Sequence, residues 1–419
     1  MINDASLSVL IVGGGGREHA LAKACSGSPK LKALYAVPGN DGMREICTLL
    51  PNDVATADHV KALGIDLVIF GPEQPLVDGE ADTCSALCRV VGPNQAAAAL
   101  EGSKAFMKEV AAAAGVPSAA FQTFQADQMA QAIDYVKEQG APIVVKASGL
   151  AAGKGVVVAD TVEQAVEAVQ ASLSGDAFGA AGHEVVIEEC LVGPEISIFH
   201  LVRDGKITFL GAAQDHKRQL DGDQGPNTGG MGTFSPSPLW HDDLRSEVET
   251  QIVTPTLGEL SRRGAAFEGF LFTGIMLTAQ GSKLLEFNVR MGDPETQSLM
   301  PLLQCDLLSV LMGEDQSNDV SPADRHAVTV VLAAPGYPMA PEKGLAMPAI
   351  PQDTENVRFT VAGAKKAPEG NGWVSTGGRV LGVTGLGESH QEARNHAYAA
   401  IDQYGWQQAQ YRTDIGKKE

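Results

Sequence analysis

The chain lacks a basic excess. Against 51 Asp and Glu stand 31 Lys and Arg in 419 residues, a formal charge of −20 at pH 7, which excludes nucleic acid as an expected partner and reads as a soluble acidic protein. It lacks any apolar run near the ~18 residues of a membrane span, and its first residues do not read as a signal peptide, so a cytoplasmic location away from membranes is expected. Its six cysteines, at 25, 47, 84, 88, 190 and 305, form no CxxC pair and no zinc spacing and read as reduced thiols. Cys84 and Cys88, one helical turn apart, read as packed small side chains and not as metal ligands. Internal repeats and low-complexity tracts are absent. At ~100–200 residues per domain the length allows two to four domains.

Two nucleotide-binding fingerprints are missing as well. A Walker A loop needs four residues between its first glycine and the Gly-Lys pair, then Ser or Thr and a helix; here three residues separate Gly149 from Gly153, and Gly155 follows Lys154. The G-x-G-x-x-G dinucleotide pattern fails at Gly13–Gly16, where its last place falls on Glu18 or His19, and no acidic residue ends the next strand to hold a ribose.

What is present is a glycine-rich hairpin. Ile143 to Ala147 and Val156 to Asp160 are strand-forming, and the β-branched run after Gly155 makes the segment strand–loop–strand. Glycines 149, 153 and 155 permit close backbone approach to a ligand, and Lys146 and Lys154 carry the charge to meet phosphate. Asp160 and Thr161, with Glu163 and Gln164 three places on, offer two registers of a capping box for a helix over 162–173. Upstream, the strand Leu7 to Val12 runs through four glycines into a helix beginning near Arg17-Glu18-His19, a geometry that binds anions on free backbone amides. Strands at 33–37, 67–70 and 89–91 complete an open, mainly parallel α/β unit over residues 1 to about 100. Ligands of such sheets lie beyond the strands' carboxyl ends, where Gly15, Gly16, Pro38, Gly39, Asn40 and Glu73 fall. Glu73 reads equally as a ligand group or a loop carboxylate.

Lys104 stands at the start of a helix through Ala114, against the helix dipole, which favours a ligand role. A strand from 184 to 191 ends at Glu188, Glu189 and Leu191, and Glu195 heads the next. The strand 205–214 delivers Asp215, His216, Lys217 and Arg218 to a long loop over 219–238, whose length marks it as functional. Strands 269–278 and 283–289 pair as a hairpin, and alternation puts Glu286 and Asn288 on one face with Phe287 on the other. Two oxygen ligands so placed suit a hard cation shared with substrate phosphates. Arg290, Asp293 and Glu295 follow. From about 326 another α/β unit is expected, with strands at 326–334, 357–364 and 379–384 and a helix over 389–403; residues 315–325 read as a linker.

The segments GGGGREHA, PGN, GPEQPLV, LEGSKAFMK, VVKASGLAAGKGV, QDHKR, GPNTGGMG, EFNVRMGDPETQ and GGRVLGVT, together covering the chain in order, resemble the ATP-grasp ligases, and within them the phosphoribosylamine:glycine ligase family. The sequence departs from the family pattern at Ser148, Met291 and Ala334-Pro335. The resemblance implies a multidomain α/β ATP-grasp fold: an N-terminal parallel-sheet domain (1–101), an ATP-grasp domain (102–325) with a small lid (117–188) and a central α+β part, and a C-terminal α/β domain (326–419). It implies the joining of glycine to 5-phosphoribosylamine in purine synthesis, with ATP and Mg²⁺ or Mn²⁺, by a monomer or weak homodimer. ATP would meet Lys104, Lys146, the loop Gly149, Gly153, Lys154 and Gly155, then Glu188, Glu189 and Leu191 at adenine and Glu195 at ribose. The metal would sit on Glu286 and Asn288, with Arg290, Lys146 and Asp215 catalytic. Substrates would meet Gly15, Gly16, Arg17, Glu18, Pro38, Gly39, Asn40, Glu73, Lys217 and Asp293. Two other readings are a different ATP-grasp ligase and a nucleotide sensor without turnover.

Overall fold

In the computed structural model, residues 6–150, 155–174, 184–315, 317–320, 325–370 and 372–417 are described. Strands β1 (Leu7–Gly13), β2 (Leu31–Pro38), β3 (Thr48–Leu49), β4 (Leu67–Phe70) and β5 (Arg89–Val91) form a parallel sheet in the order β3-β2-β1-β4-β5. The near-continuous apolar runs of β1 and β4 follow from burial on both faces. Because the strand order turns about β1, the crevice at the carboxyl ends of β1 and β4 is a binding position. Gly13 (φ +117°) leads from β1 into helix α1 (Gly16–Ser26). A Cβ on Gly14 would lie 2.5 Å from the Gly39 carbonyl oxygen, so only glycine lets the turns after β1 and β2 touch.

Strands β6 (Phe121–Gln125), β7 (Ile143–Ala147), β8 (Val156–Ala159) and β9 (Glu184–Glu189) form an antiparallel sheet, β6-β9-β7-β8, with its own core of Phe124, Val136, Val145, Val169 and Ile187. The expected hairpin is present, in the register Ile143↔Ala159 to Lys146↔Val156. Gly153 and Lys154 lie outside the described residues. Thr161 caps the helix Val162–Leu173, accepting from the Gln164 amide, which selects the Thr161–Gln164 register.

The central sheet has eight strands: β10 (Glu195–Arg203), β11 (Lys206–Asp215), β14 (Gly232–Ser235), β15 (Gly269–Thr278), β16 (Gly281–Asn288), β17 (His326–Ala333), β19 (Val357–Val361) and β22 (Arg379–Gly387). Its order is β16-β15-β10-β11-β14-β17-β22-β19. Short strands β12 (Arg218–Leu220) and β13 (Gln224–Asn227) pair as a ribbon, and β18 (Ala346–Met347), β20 (Ala364–Lys366) and β21 (Trp373–Ser375) form a small sheet. The 219–238 stretch is therefore not the structureless loop expected: it carries all of the β12–β13 ribbon but Arg218, and all of β14. β14 pairs with β11 on one side and β17 on the other, fusing the C-terminal strands to the central sheet. Thr233 and Ser235 are buried there, so their backbone groups must pair. The expected linker is likewise pinned: Phe209 donates to the Asn318 carbonyl at 2.9 Å and Val320 donates to the Phe209 carbonyl at 3.1 Å, while 316 and 321–324 lie outside the described residues.

One apolar core runs from Leu10 and Phe70 through Met107 to Ile198, Leu284 and Phe287. It ties the N-terminal sheet to β16 and so sets the distance between the glycine turn and Glu286. A bulge opposite Gly274 and Ile275 leaves Leu285 unpaired, which lets both Leu284 and Phe287 face this core. Among the described residues no helix is long and apolar enough to cross a membrane.

Candidate active site

The first cluster begins at Ser103, whose hydroxyl accepts from the Phe106 amide and caps the helix Lys104–Ala113. The Ala105 amide donates to the Ser148 hydroxyl at 3.1 Å. Ser148, one of the departures noted above, thus joins the capping of this helix and ties it to the glycine loop. Lys104 Nζ donates to the Gly149 carbonyl at 3.2 Å; Gly155 accepts from the Ala147 amide at the other end of the loop. Lys146, on β7, pairs with Glu188 on β9, and Lys108 Nζ reaches the second Glu188 oxygen at 2.5 Å. The Glu188 side chain is therefore engaged by two lysines. Glu189 accepts from Lys283 at 3.3 Å and from the Ala120 amide, and Leu191 lies in the connector before β10.

Glu195 pairs with Lys217 at 2.6 Å, and Lys217 lies 3.5 Å from Asp215. Burial favours a neutral Lys217, but Asp215, Glu195 and Glu286 outweigh it and hold its pKa well above the lysine range. Its side chain is 40% exposed, so solvent screens part of this attraction. Burial would raise the Glu286 carboxyl, yet Lys217, Lys146 and Lys104 hold it below the usual carboxylate range. Burial depresses Lys104, opposed by Glu286. Glu286 is therefore an ionised oxygen donor. The Asn288 amide nitrogen lies 3.5 Å from Glu286 Oε1, and its carbonyl accepts from Arg290 at 3.1 Å. An ionised carboxylate and an amide oxygen two residues apart fit a hard cation completed by substrate phosphates. Among the described residues no cluster of three or more His, Cys, Asp or Glu offers an all-protein metal cage.

Arg290 lies two residues beyond the end of β16. It pairs with Glu73 at 3.2 Å and Glu101 at 2.6 Å. Burial pushes the Glu101 carboxyl up to about 7 and, together with Asp215, the Glu295 carboxyl up to about 7.

A second cluster gathers at the glycine turn. Glu18, 2% exposed, accepts from the Gly15 amide and from Arg17 Nε, both at 2.5 Å. Arg17 also donates to the Met291 carbonyl at 3.2 Å. Asn40 donates to the carbonyls of Gly14 and Val361 and accepts from Gly42, so its side chain shapes the turn and clasps β19. Pro38 and Gly39 end β2 beside Gly13. Asp293 faces Gly15: a Cβ there would lie 3.4 Å from its carboxylate and 2.8 Å from that of Glu18. Burial would raise Asp293, but Arg379, Arg17 and Gln297 hold it low. A Gly15→Val side chain would therefore crowd both carboxylates.

Sequence reasoning missed Lys108, Glu101, Gln297 and Arg379. Gln297 donates to Asp293 at 2.8 Å over Gly16. Arg379 donates to the carbonyls of Gly229 and Asp293, both at 2.5 Å, and pairs with the Asp293 carboxylate at 3.3 Å. All four lie within the segments LEGSKAFMK, EFNVRMGDPETQ and GGRVLGVT, but no role was attached to them. A cavity of about 730 Å³ lies behind α1, lined by His19, Lys23, Gln297, Asp353 and Phe359; it meets the site at Gln297, but none of the site lysines above lines it, and Lys23 is paired within it to Asp353.

Three family profiles match the chain in order: Phosphoribosylglycinamide synthetase, N domain, over 7–101; its ATP-grasp (A) domain over 102–296; and its C domain over 327–418. The phosphoribosylamine–glycine ligase of Mesorhizobium japonicum is 46% identical over 420 residues, covering 98% of each chain. That of Rhizobium meliloti is 44% identical over 419 residues, again covering 98% of each. Among solved structures, phosphoribosylamine–glycine ligase from Thermotoga maritima superposes with a TM-score of 0.84 at 33% identity, covering 97% of this chain and 99% of that one. Biotin carboxylase from Campylobacter jejuni, at 15% identity and a TM-score of 0.73, shares the fold. The chain belongs to the phosphoribosylglycinamide synthetase family, through its N, ATP-grasp and C domains alike.

Proposed function

We propose that this protein is an ATP-dependent ligase that joins glycine to 5-phosphoribosylamine, giving glycinamide ribonucleotide, ADP and phosphate in purine biosynthesis, by way of glycyl phosphate. The observation that carries the phosphoryl-transfer half is the geometry at the end of β16, where Glu286 Oε1 lies 3.5 Å from the Asn288 amide nitrogen and the Asn288 side-chain oxygen accepts from Arg290 at 3.1 Å, with Lys104, Lys146 and Lys217 near enough to hold Glu286 ionised. A carboxylate is a poor electrophile, and its activation requires cations where charge accumulates on the transferring phosphoryl group. In this reading a glycine oxygen attacks the γ-phosphorus and ADP leaves; the neutral amine then attacks the acyl carbon, and phosphate leaves with that oxygen. Lys104, Lys146 and the 149–155 loop hold the phosphates, and the backbone around Glu188, Glu189 and Leu191 meets adenine. Glu195 turns from Lys217 to ribose. Mg²⁺ or Mn²⁺ on Glu286 and Asn288 would supply charge neutralisation on the phosphates. Residues 1–101 present the amine at Gly15, Gly16 and Glu73, opposite Asp293 of the ATP-grasp domain, the 117–188 lid excludes water, and Arg379 brings residues 326–419 onto the same substrate.

The test is isotopic. With glycine labelled in its carboxylate by ¹⁸O, inorganic phosphate released during turnover is expected to carry the label. Unlabelled phosphate throughout would remove the acyl phosphate and the roles built on it.

A further inference from the structure

Glu101 lies at the end of the helix Gln95–Gly102, and its side chain is 7% exposed. One oxygen accepts from the Val289 backbone amide at 2.8 Å and the other from Arg290 Nη2 at 2.6 Å. The same Arg290 nitrogen donates to Asn288 Oδ1 at 3.1 Å, Nε donates to Glu73 at 3.2 Å, and Nη1 to the Met291 backbone carbonyl at 3.3 Å.

A buried carboxylate is costly unless compensated, and neutralising Arg290 does not require this one, because Glu73 already supplies an opposite charge. What Glu101 adds is direction. By gripping a backbone amide and the next side chain at once, it fixes the guanidinium relative to the end of β16. Through the shared nitrogen it also fixes the face that Asn288 presents. It reaches this strand from the helix that closes the N-terminal unit, so the strand end is registered against the glycine turn.

We propose that Glu101 is a positioning residue for phosphoryl transfer, acting through Arg290 and not on substrate. This rests on the ligase reading, and the two fail separately: a parent enzyme that ligates no glycine refutes the reading, whereas a ligating parent with an unaffected Glu101 variant refutes only this inference.

The experiment compares the full-length parent with Glu101→Gln, Arg290→Ala and the double variant, measuring kcat, KM for ATP and melting temperature. Glu101→Gln keeps one acceptor but sets an amide donor against a donor. It is expected to lower kcat about 10–100-fold, in the range for partners that orient a site from behind, with KM for ATP within about twofold. In the Arg290→Ala background the same change is expected to have no further effect on kcat, since the residue acts through the missing guanidinium. Parent-like kcat in Glu101→Gln, or a loss that multiplies in the double variant, overturns the assignment. Should Glu101→Gln not fold, Glu101→Asp keeps the charge but shortens the reach; parent-like kcat there overturns it equally.

Discussion

Glu286→Gln is expected to lower kcat by about 10²–10³, the cost of removing one preorganised electrostatic group from a water-poor site, and to move the magnesium requirement to higher concentration. The substitution keeps the shape of the side chain and the backbone pairing of Glu286 with Gly274, so the strand persists. It removes the one negative charge that faces Lys217, Lys146 and Lys104 together. Lys146 keeps Glu188 and Lys217 keeps Glu195 and Asp215, but the charge the three lysines share is gone, and a neutral amide oxygen is a weaker partner for a hard cation. Activity titrated with Mg²⁺ reads the effect. Curves that overlay those of the parent would show that Glu286 is not a ligand.

Lys146→Ala is expected to lower kcat/KM for ATP about 10–100-fold, the equivalent of a charge-assisted hydrogen bond of ~1.5–3 kcal/mol. The fold should survive, because Glu188 keeps Lys108 at 2.5 Å when Lys146 is gone. That retained pair distinguishes this position from one where truncation strands a buried charge. The measurement is initial rate across ATP concentrations beside a thermal melt. Unchanged rates at low and at saturating ATP would remove Lys146 from the nucleotide site, and a large fall in melting temperature would reassign the loss to folding.

The N-terminal sheet, the glycine hairpin and the Glu286/Asn288 face were legible because each is a short-range matter. Continuous apolar runs mean strands buried on both faces, β-branched residues after a glycine loop mean a strand, and a period of two sorts a strand's sides. The last held only in part: alternation separates Glu286 from Phe287, but the bulge at Leu285, which turns Leu284 inward, depends on the partner strand. Asn40 shows the same limit from the other direction. Its place after β2 and its acceptance from Gly42 are local, whereas its donation to Gly14 depends on the turn after β1 and its donation to Val361 on β19 arriving beside it.

By itself the sequence determined the strand and helix types, the glycine turns and the chemistry available at the strand ends, since these follow from backbone propensity and local spacing. Only the tertiary structure decided that β14, drawn from a Gly- and Pro-rich stretch, joins two sets of strands into one sheet. It also decided that Arg379 meets Asp293 across 86 residues and that Glu101 meets Arg290 across 189. Buried charges and unpaired backbone groups must find partners wherever the fold brings them, and no local pattern records which distant residue that is.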